Sequence, residues 1–302
     1  MAKCCHAGVD EEAAMDTSRL IVVGVDGSDD GLRAVRFGAG VAHMSDSELL
    51  LVHAVDDAML AGAWGVVYDP EVLQDAGAAA NERAVEVALT EKLSRDMIRT
   101  EVVLGSPGGV LSRLSEVADL LVVGRRSVSG FERMFVGSTS VTVVANSQCP
   151  VVVISAEAHP GDVGAKGLVG VGLNTNPGNH AILEAGFSNA VSLGCDLEIV
   201  HVLQPPHGLF GGKLSPSELD GQLRFIRGGV TAMAEEIAAG FPDTSYKIDV
   251  LAGSPITELV ERSKRYDMLV LGVGGNDIPG FGLGGLLRGL MAHAECPLLV
   301  TR

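Results

Sequence analysis

An aspartate, two glycine-bearing turns and a hydroxyl doublet are the parts from which a phosphate and sugar site can be built. Asp26 closes one apolar run as Val25-Asp26-Gly27-Ser28. Another run closes as Gly124-Arg125-Arg126-Ser127, and after nine more residues comes Gly137-Ser138-Thr139. Glycine lets backbone N–H groups approach a phosphate unobstructed, a helix N-terminus offers unpaired donors and partial positive charge, and a hydroxyl adds a donor. Gly137-Ser138-Thr139 at a helix start is therefore an anion cradle. Arg125 and Arg126 would neutralise phosphate charge as planar forks, and Asp26 would accept hydrogen bonds from a ribose hydroxyl or a base amine. Each group also has a plain structural use. Asp26, Ser138 and Thr139 suit helix capping, and the two arginines suit a solvated surface.

Other chemistries find less support. There is no Gly-x-x-x-x-Gly-Lys-Ser/Thr, which sets aside a P-loop, and the Gly280-Phe-Gly-Leu-Gly284 run lacks the dinucleotide spacing. Cys4, Cys5 and His6 lie adjacent in an acidic tail and read as unstructured, not as a metal site. His53 and His201 read as packed, hydrogen-bonded histidines, and Cys149 and Cys296, each before a proline, as small buried hydrophobes. No Ser-His-Asp or paired-carboxylate arrangement is evident, so no catalytic residue is assigned and the chain is not read as an enzyme.

The elements that must hold these residues are written twice. Leu51-Val-His-Ala-Val55 is matched by Ile199-Val-His-Val-Leu203, Gly105-Ser-Pro107 by Gly253-Ser-Pro255, and Asp119-Leu-Leu-Val-Val-Gly124 by Asp267-Met-Leu-Val-Leu-Gly272, all at an offset of 148. Cys149-Pro150 meets Cys296-Pro297 at 147, so one deletion separates two otherwise collinear copies. Short aliphatic runs alternate with amphipathic stretches, which predicts a parallel sheet with helices on both faces. Strands are expected near 19–26, 48–55, 99–103, 119–124 and 150–155, then near 166–173, 196–203, 246–252, 267–272 and 297–301. In the first copy the helices are expected near 30–44, 71–96, 107–117 and 137–147. Each copy becomes an α/β, doubly wound, five-stranded parallel sheet of order 3-2-1-4-5. A ligand would sit beyond the strand ends where that order reverses, between strands 1 and 4. Asp26 and Gly124 both fall there. The division is a tail at 1–18, domain 1 at 19–156, a linker over 157–166, and domain 2 at 166–302.

The bulk properties narrow the partners. Among 302 residues, 22 basic against 38 acidic side chains give a net charge of −16, which disfavours nucleic acid and anionic membrane. The apolar runs are too short to span a bilayer, the acidic first eighteen residues lack a secretory h-region, and an odd count of five cysteines does not resemble a disulfide framework. A cytoplasmic protein with free thiols is expected.

At these residues the chain resembles the universal stress protein family, whose nucleotide-binding members carry Gly-x-x-Gly, nine residues, then Gly-Ser or Gly-Thr. Here the second glycine is Ser127, which narrows the backbone's freedom but leaves a small donor. The resemblance extends over nearly everything after residue 18. It implies two domains of the adenine-nucleotide alpha-hydrolase-like type packed as a pseudo-dimer. It also implies an ATP or other adenine-nucleotide site with Mg²⁺ or Mn²⁺ in domain 1. By that resemblance Asp26 contacts the adenosine, the backbone at Ala54 and Val103 lines the base, and Gly124, Ser127, Gly137, Ser138 and Thr139 hold phosphates. A homodimer and a signalling partner protein are further expectations.

The second copy has drifted. Asp26 aligns with Asn174, and Gly137-Ser138 with either Gly285-Leu286 or Gly284-Gly285, so the hydroxyl is lost on both alignments. Two lost hydrogen bonds to a charged ligand, each worth on the order of 1.5–3 kcal/mol, would weaken binding roughly a hundredfold or more. The expected function is a regulatory adenine-nucleotide binder in the stress response. The alternative is a nucleotide-free scaffold or chaperone-like partner binder.

Overall fold

Segments such as Leu-Ile-Val-Val at 20–23 and Val-Val-Val-Ile at 151–154 are apolar at every position, as strands covered on both faces require. The structure, a computed structural model, describes residues 19–56, 69–125, 137–155, 158, 164–174, 179–205, 214–273 and 283–302. Its first copy runs β1 (Leu20–Gly24), α1 (Asp29–Ser45), β2 (Glu48–Val55), α2 (Pro70–Thr90), β3 (Ile98–Leu104), α3 (Pro107–Leu114), β4 (Leu120–Gly124), α4 (Ser138–Asn146) and β5 (Val151–Ile154). The second runs β6 (Leu168–Leu173), α5 (Asn179–Leu193), β7 (Asp196–Leu203), α6 (Pro216–Ala238), β8 (Tyr246–Ala252), α7 (Pro255–Ser263), β9 (Met268–Gly272), α8 (Gly285–His293) and β10 (Leu298–Thr301).

Helix ends follow local chemistry. Ser28 caps α1 by accepting from the Gly31 N–H at 3.1 Å, with Asp29 and Asp30 in the first turn where the dipole favours acid. The helix expected over 71–96 stops at Thr90. Lys92 takes a left-handed φ of 65°, Leu93 then turns into the core, and a short 3₁₀ turn at Arg95–Met97 leads into β3. The expected 107–117 helix likewise ends at Leu114. Periodicity continues past Thr90 because the next apolar residue, Leu93, is also buried, whereas beyond Leu114 the next one, Val117, is exposed.

The strands form one ten-stranded sheet in the order β3-β2-β1-β4-β5-β10-β9-β6-β7-β8. Each half is thus 3-2-1-4-5, and the halves join where β5 and β10 pair antiparallel, Val152 opposite Leu299. Every strand-5 edge is consumed within the chain, and β3 and β8 are the outer edges. One apolar core lies on each face of the sheet, and residues of both copies contribute to each.

Packing repeats with the sequence. A Cβ on Gly38 would meet Val23, and one on Gly186 would meet Val171, so the same glycine lets α1 and α5 close onto their own sheets. Elsewhere the copies have exchanged bulk. Gly108 of α3 faces Thr142 of α4, whereas at the matching contact Ile256 of α7 faces Gly289 of α8. Where the first copy has Val22 and Ala118, the second has Gly170 with the Tyr266 ring lying over it. Interiors are close-packed, so one enlargement demands one reduction nearby.

Candidate functional site

β1 stops at Gly24, and the chain turns through Gly27, whose left-handed φ of 75° leaves Asp26 at the surface. Asp26 is not the cap of α1. Its Oδ1 accepts from the Ser28 N–H at 3.0 Å and the Ser28 hydroxyl at 2.6 Å, bracing the residue that is the cap. Oδ2 has no partner among the described residues. A Cβ at position 31 would stand 2.5 Å from Asp26 Oδ1, so Gly31 is what admits the carboxylate above the helix. Across the switch point, a Cβ on Gly124 would stand 2.6 Å from the Asp30 carbonyl, because the first turn of α1 lies directly on the end of β4. Gly124 thus has a packing reason for being glycine.

The second wall is α4. Gly137 is its N-cap and supplies no side-chain hydrogen bond. The first intrahelical bond is Val141 N–H to Gly137 O at 3.1 Å, so the N–H groups of Ser138, Thr139 and Ser140 have no intrahelical acceptor. The Ser140 hydroxyl, buried, donates to Gly137 O at 3.1 Å. Ser138 is exposed and Thr139 half-buried, leaving both hydroxyls at the helix mouth.

Between these walls lies a crevice of about 290 Å³, lined by Asp26, Ala54, Gly124, Gly137, Ser138 and Thr139 together with Val25, Gly31, His53, Asp56, Leu73, Pro107 and others. This size falls near the lower end of small-molecule sites, about 300–1,000 Å³. Six expected site residues thus meet in one place. Val103 pairs with Ala54 in the β2–β3 register but is not among the lining residues. Arg126 and Ser127 lie outside the described residues. Arg125 is turned away: it is 6% exposed, and its guanidinium donates to the carbonyls of Ala292 and Met291 in domain 2. It is neither a solvated surface group nor part of the crevice wall.

His53 and Asp56 carried little signal in the sequence. Asp56 stands immediately beyond β2, at the carboxyl ends where ligands bind. His53 packs against Gly77, yet its Nδ1 is buried with no hydrogen-bond partner among the described residues, as is Nδ1 of His201. Both are packed, as expected, and His201 also feels the Leu173 backbone. Among the described residues no group of three or more His, Cys, Asp and Glu gathers that could hold a metal by itself. A divalent ion here would take its ligands largely from phosphate oxygens, the usual arrangement for Mg²⁺. Burial favours the thiol form of the described cysteines: it raises the Cys149 thiol, and pushes Cys195 to about 11 and Cys296 to about 12.

Domain 2 presents a different surface at the equivalent place. Asn174 has its carbonyl bonded by Asn179 Nδ2 at 2.6 Å. The Ile182 side chain occupies the space beside Gly272, where a Cβ would collide with it. The N-cap of α8 is Gly284, which settles the alignment: Gly137-Ser138 corresponds to Gly284-Gly285, and Leu286 stands for Thr139. No hydroxyl remains.

A family model described as the universal stress protein family matches residues 17–155 and again 168–302. A universal stress protein of Mycobacterium tuberculosis is 26% identical over 299 residues, covering 93% of this chain and 96% of that one. One from Methanocaldococcus jannaschii is 30% identical over 143 residues, covering 45% of this chain and 81% of its own length. Among solved structures, a universal stress protein from Archaeoglobus fulgidus superposes with a TM-score of 0.67 at 16% identity, over 95% of this chain and 99% of that one. That last similarity concerns the fold.

Proposed function

The chain belongs to the universal stress protein family, carrying its domain twice, and from that premise we propose that the domain 1 crevice binds an adenine nucleotide, ATP with Mg²⁺ or Mn²⁺, as a regulatory ligand. The observation that carries this is the open N-terminus of α4, capped by Gly137 without a side-chain acceptor, facing across the crevice the Oδ2 of Asp26, which has no partner among the described residues. The polyphosphate takes the N–H groups and hydroxyls of Ser138 and Thr139, with Gly137 and Gly124 allowing close approach and Ser127 offering a further small donor. Asp26 accepts from the ribose or the adenine amine, and the backbone at Ala54 and Val103 borders the base. The divalent cation, when bound, would supply positive charge against the phosphates. The residues are given no catalytic role, and the protein acts in the cytoplasm through a partner it signals to. A homodimer belongs to the same reading, through some surface other than the β5–β10 seam.

Isothermal titration of MgATP tests the proposal. The wild type should bind with a stoichiometry near one, and Gly137→Val combined with Asp26→Ala should weaken binding by about tenfold or more, the first change placing a branched side chain where the backbone must approach the phosphates and the second removing a hydrogen-bond acceptor. No binding by the wild type, or affinity unaltered in the double variant, would overturn it.

One feature favours the nucleotide-free partner binder: Phe225 on α6 is 85% exposed, an aromatic ring with nothing to cover it among the described residues. Mass spectrometry of small molecules released from protein purified without added nucleotide separates the two readings, since recovered AMP or ATP supports the first.

A further inference from the structure

The walls of the domain 1 crevice are gripped from behind by domain 2. Arg125 follows Gly124 directly, and its N–H donates to Ile154 O at 2.7 Å, holding the end of β4 to β5. Its side chain then crosses the seam to the last turn of α8, donating through Nη1 to Ala292 O and, at 3.4 Å, to Met291 O. Arg302, just beyond β10, crosses in the opposite direction. It donates to Ser147 O and, at 2.6 Å, to Ala145 O, at the C-terminus of α4. Ser155, the position matching Arg302 in the first copy, donates to Ala294 O at 2.9 Å, so a polar grip at this point is a symmetric property of the seam.

The carbonyls gripped by the arginines lie at helix C-termini, where they lack intrahelical partners and the dipole favours a cation. The consequence is lopsided. In domain 1, α4 is held by Arg302 and the end of β4 by Arg125, so both walls of the cradle are referenced to domain 2. In domain 2, Val273 stands where Arg125 does in domain 1, and its side chain has no donor to reach across. The copy that keeps the cradle is the one whose β-strand end carries the arginine.

We propose that Arg125 and Arg302 are positioning residues through which domain 2 sets nucleotide affinity in domain 1. The two arginines fix the end of β4 and the helix α4 against one rigid reference, so that Gly124 and the donors of Ser138 and Thr139 keep the spacing a phosphate chain needs. Coupling between sites is reciprocal in binding free energy. Filling the crevice therefore tightens the α8 junction, and loosening the junction weakens binding. The inference rests on the nucleotide reading above, with MgATP as the probe.

The experiment combines titration with hydrogen exchange on the full chain. Arg125→Met and Arg302→Ala should each raise the dissociation constant for MgATP by about five- to tenfold, within the usual range of coupled sites. Arg227→Ala serves as the control. It removes an arginine that bonds backbone carbonyls of β8, at Ile248 and Val250, away from the seam, and should leave affinity within about twofold. Saturating MgATP should slow amide exchange at 291–296 in the wild type and leave it unmoved in Arg125→Met, a response that a merely stabilising role for Arg125 would not produce. The wild-type exchange measurement needs no variant to fold, and Arg302→Ala provides a second, surface position. If the wild type binds MgATP but exchange at 291–296 does not respond, or both arginine variants keep their affinity, the inference falls while the nucleotide reading stands. If the wild type does not bind MgATP at all, the nucleotide reading falls and takes the inference with it.

Discussion

His201 shows how one buried side chain makes the fold sensitive to acid. It is 4% exposed, and burial holds its imidazole below the ordinary value of 6.5, with a smaller opposing pull from the Leu173 backbone. The folded chain keeps this residue neutral where the unfolded chain protonates it, so the unfolded state binds more protons and stability rises with pH. The contribution is intact above about 6.5 and declines as pH falls below it. Urea denaturation at about pH 7.5 and 5.5 should show a loss of stability that His201→Gln reduces; an equal loss in both proteins would show that other groups carry it. At this scale the sequence was informative about residue type and less so about purpose. Asp26 looked like either a ligand contact or a helix cap, and it is a brace for the true cap, Ser28, with one oxygen to spare. Gly124 looked like a phosphate contact, and it must also admit the backbone of α1 at Asp30. Arg125 was expected to neutralise phosphate charge or to lie solvated and does neither, because its partners are carbonyls of the other copy and leave no periodic trace.

At the scale of elements, strand positions and their order could be read from runs of aliphatic residues and from the repeat, and α2 and α3 ended early because left-handed and turn residues do not interrupt hydrophobic periodicity. The fate of the second cradle was half legible. Loss of the hydroxyl was visible on either alignment; the Ile182 side chain set against Gly272 was not, since nothing in an apolar residue near a helix start reveals which neighbour it will press on. The two defects are separable. Restoring the hydroxyls with Gly285→Ser and Leu286→Thr should leave the MgATP stoichiometry near one per chain, because Ile182 still fills the space beside Gly272. Adding Ile182→Ala should be required before calorimetric stoichiometry rises. A second site appearing with the hydroxyls alone would mean that α5 yields readily and that Ile182 is no barrier.

The two copies are joined into one sheet by four-residue strands at its centre. An open sheet edge invites pairing, which made a covered strand 5 foreseeable; the β5–β10 ladder answers it inside a single chain and makes each domain the other's neighbour in the core. Leu299 is 5% exposed, lies opposite Val152 in that ladder, and shares with it a core cluster that runs from α1 to α6. An unpaired carboxylate at such a place costs several kcal/mol, charged against the seam and not against either domain's interior strands. Calorimetry should therefore record one cooperative transition for the wild type, with van't Hoff and calorimetric enthalpies in agreement. Leu299→Asp should divide it into two, the domains melting separately once their common core is breached. Two transitions in the wild type would mean that each five-stranded half carries its own stability, and that the repeat is a pair of neighbours and not a single folding unit.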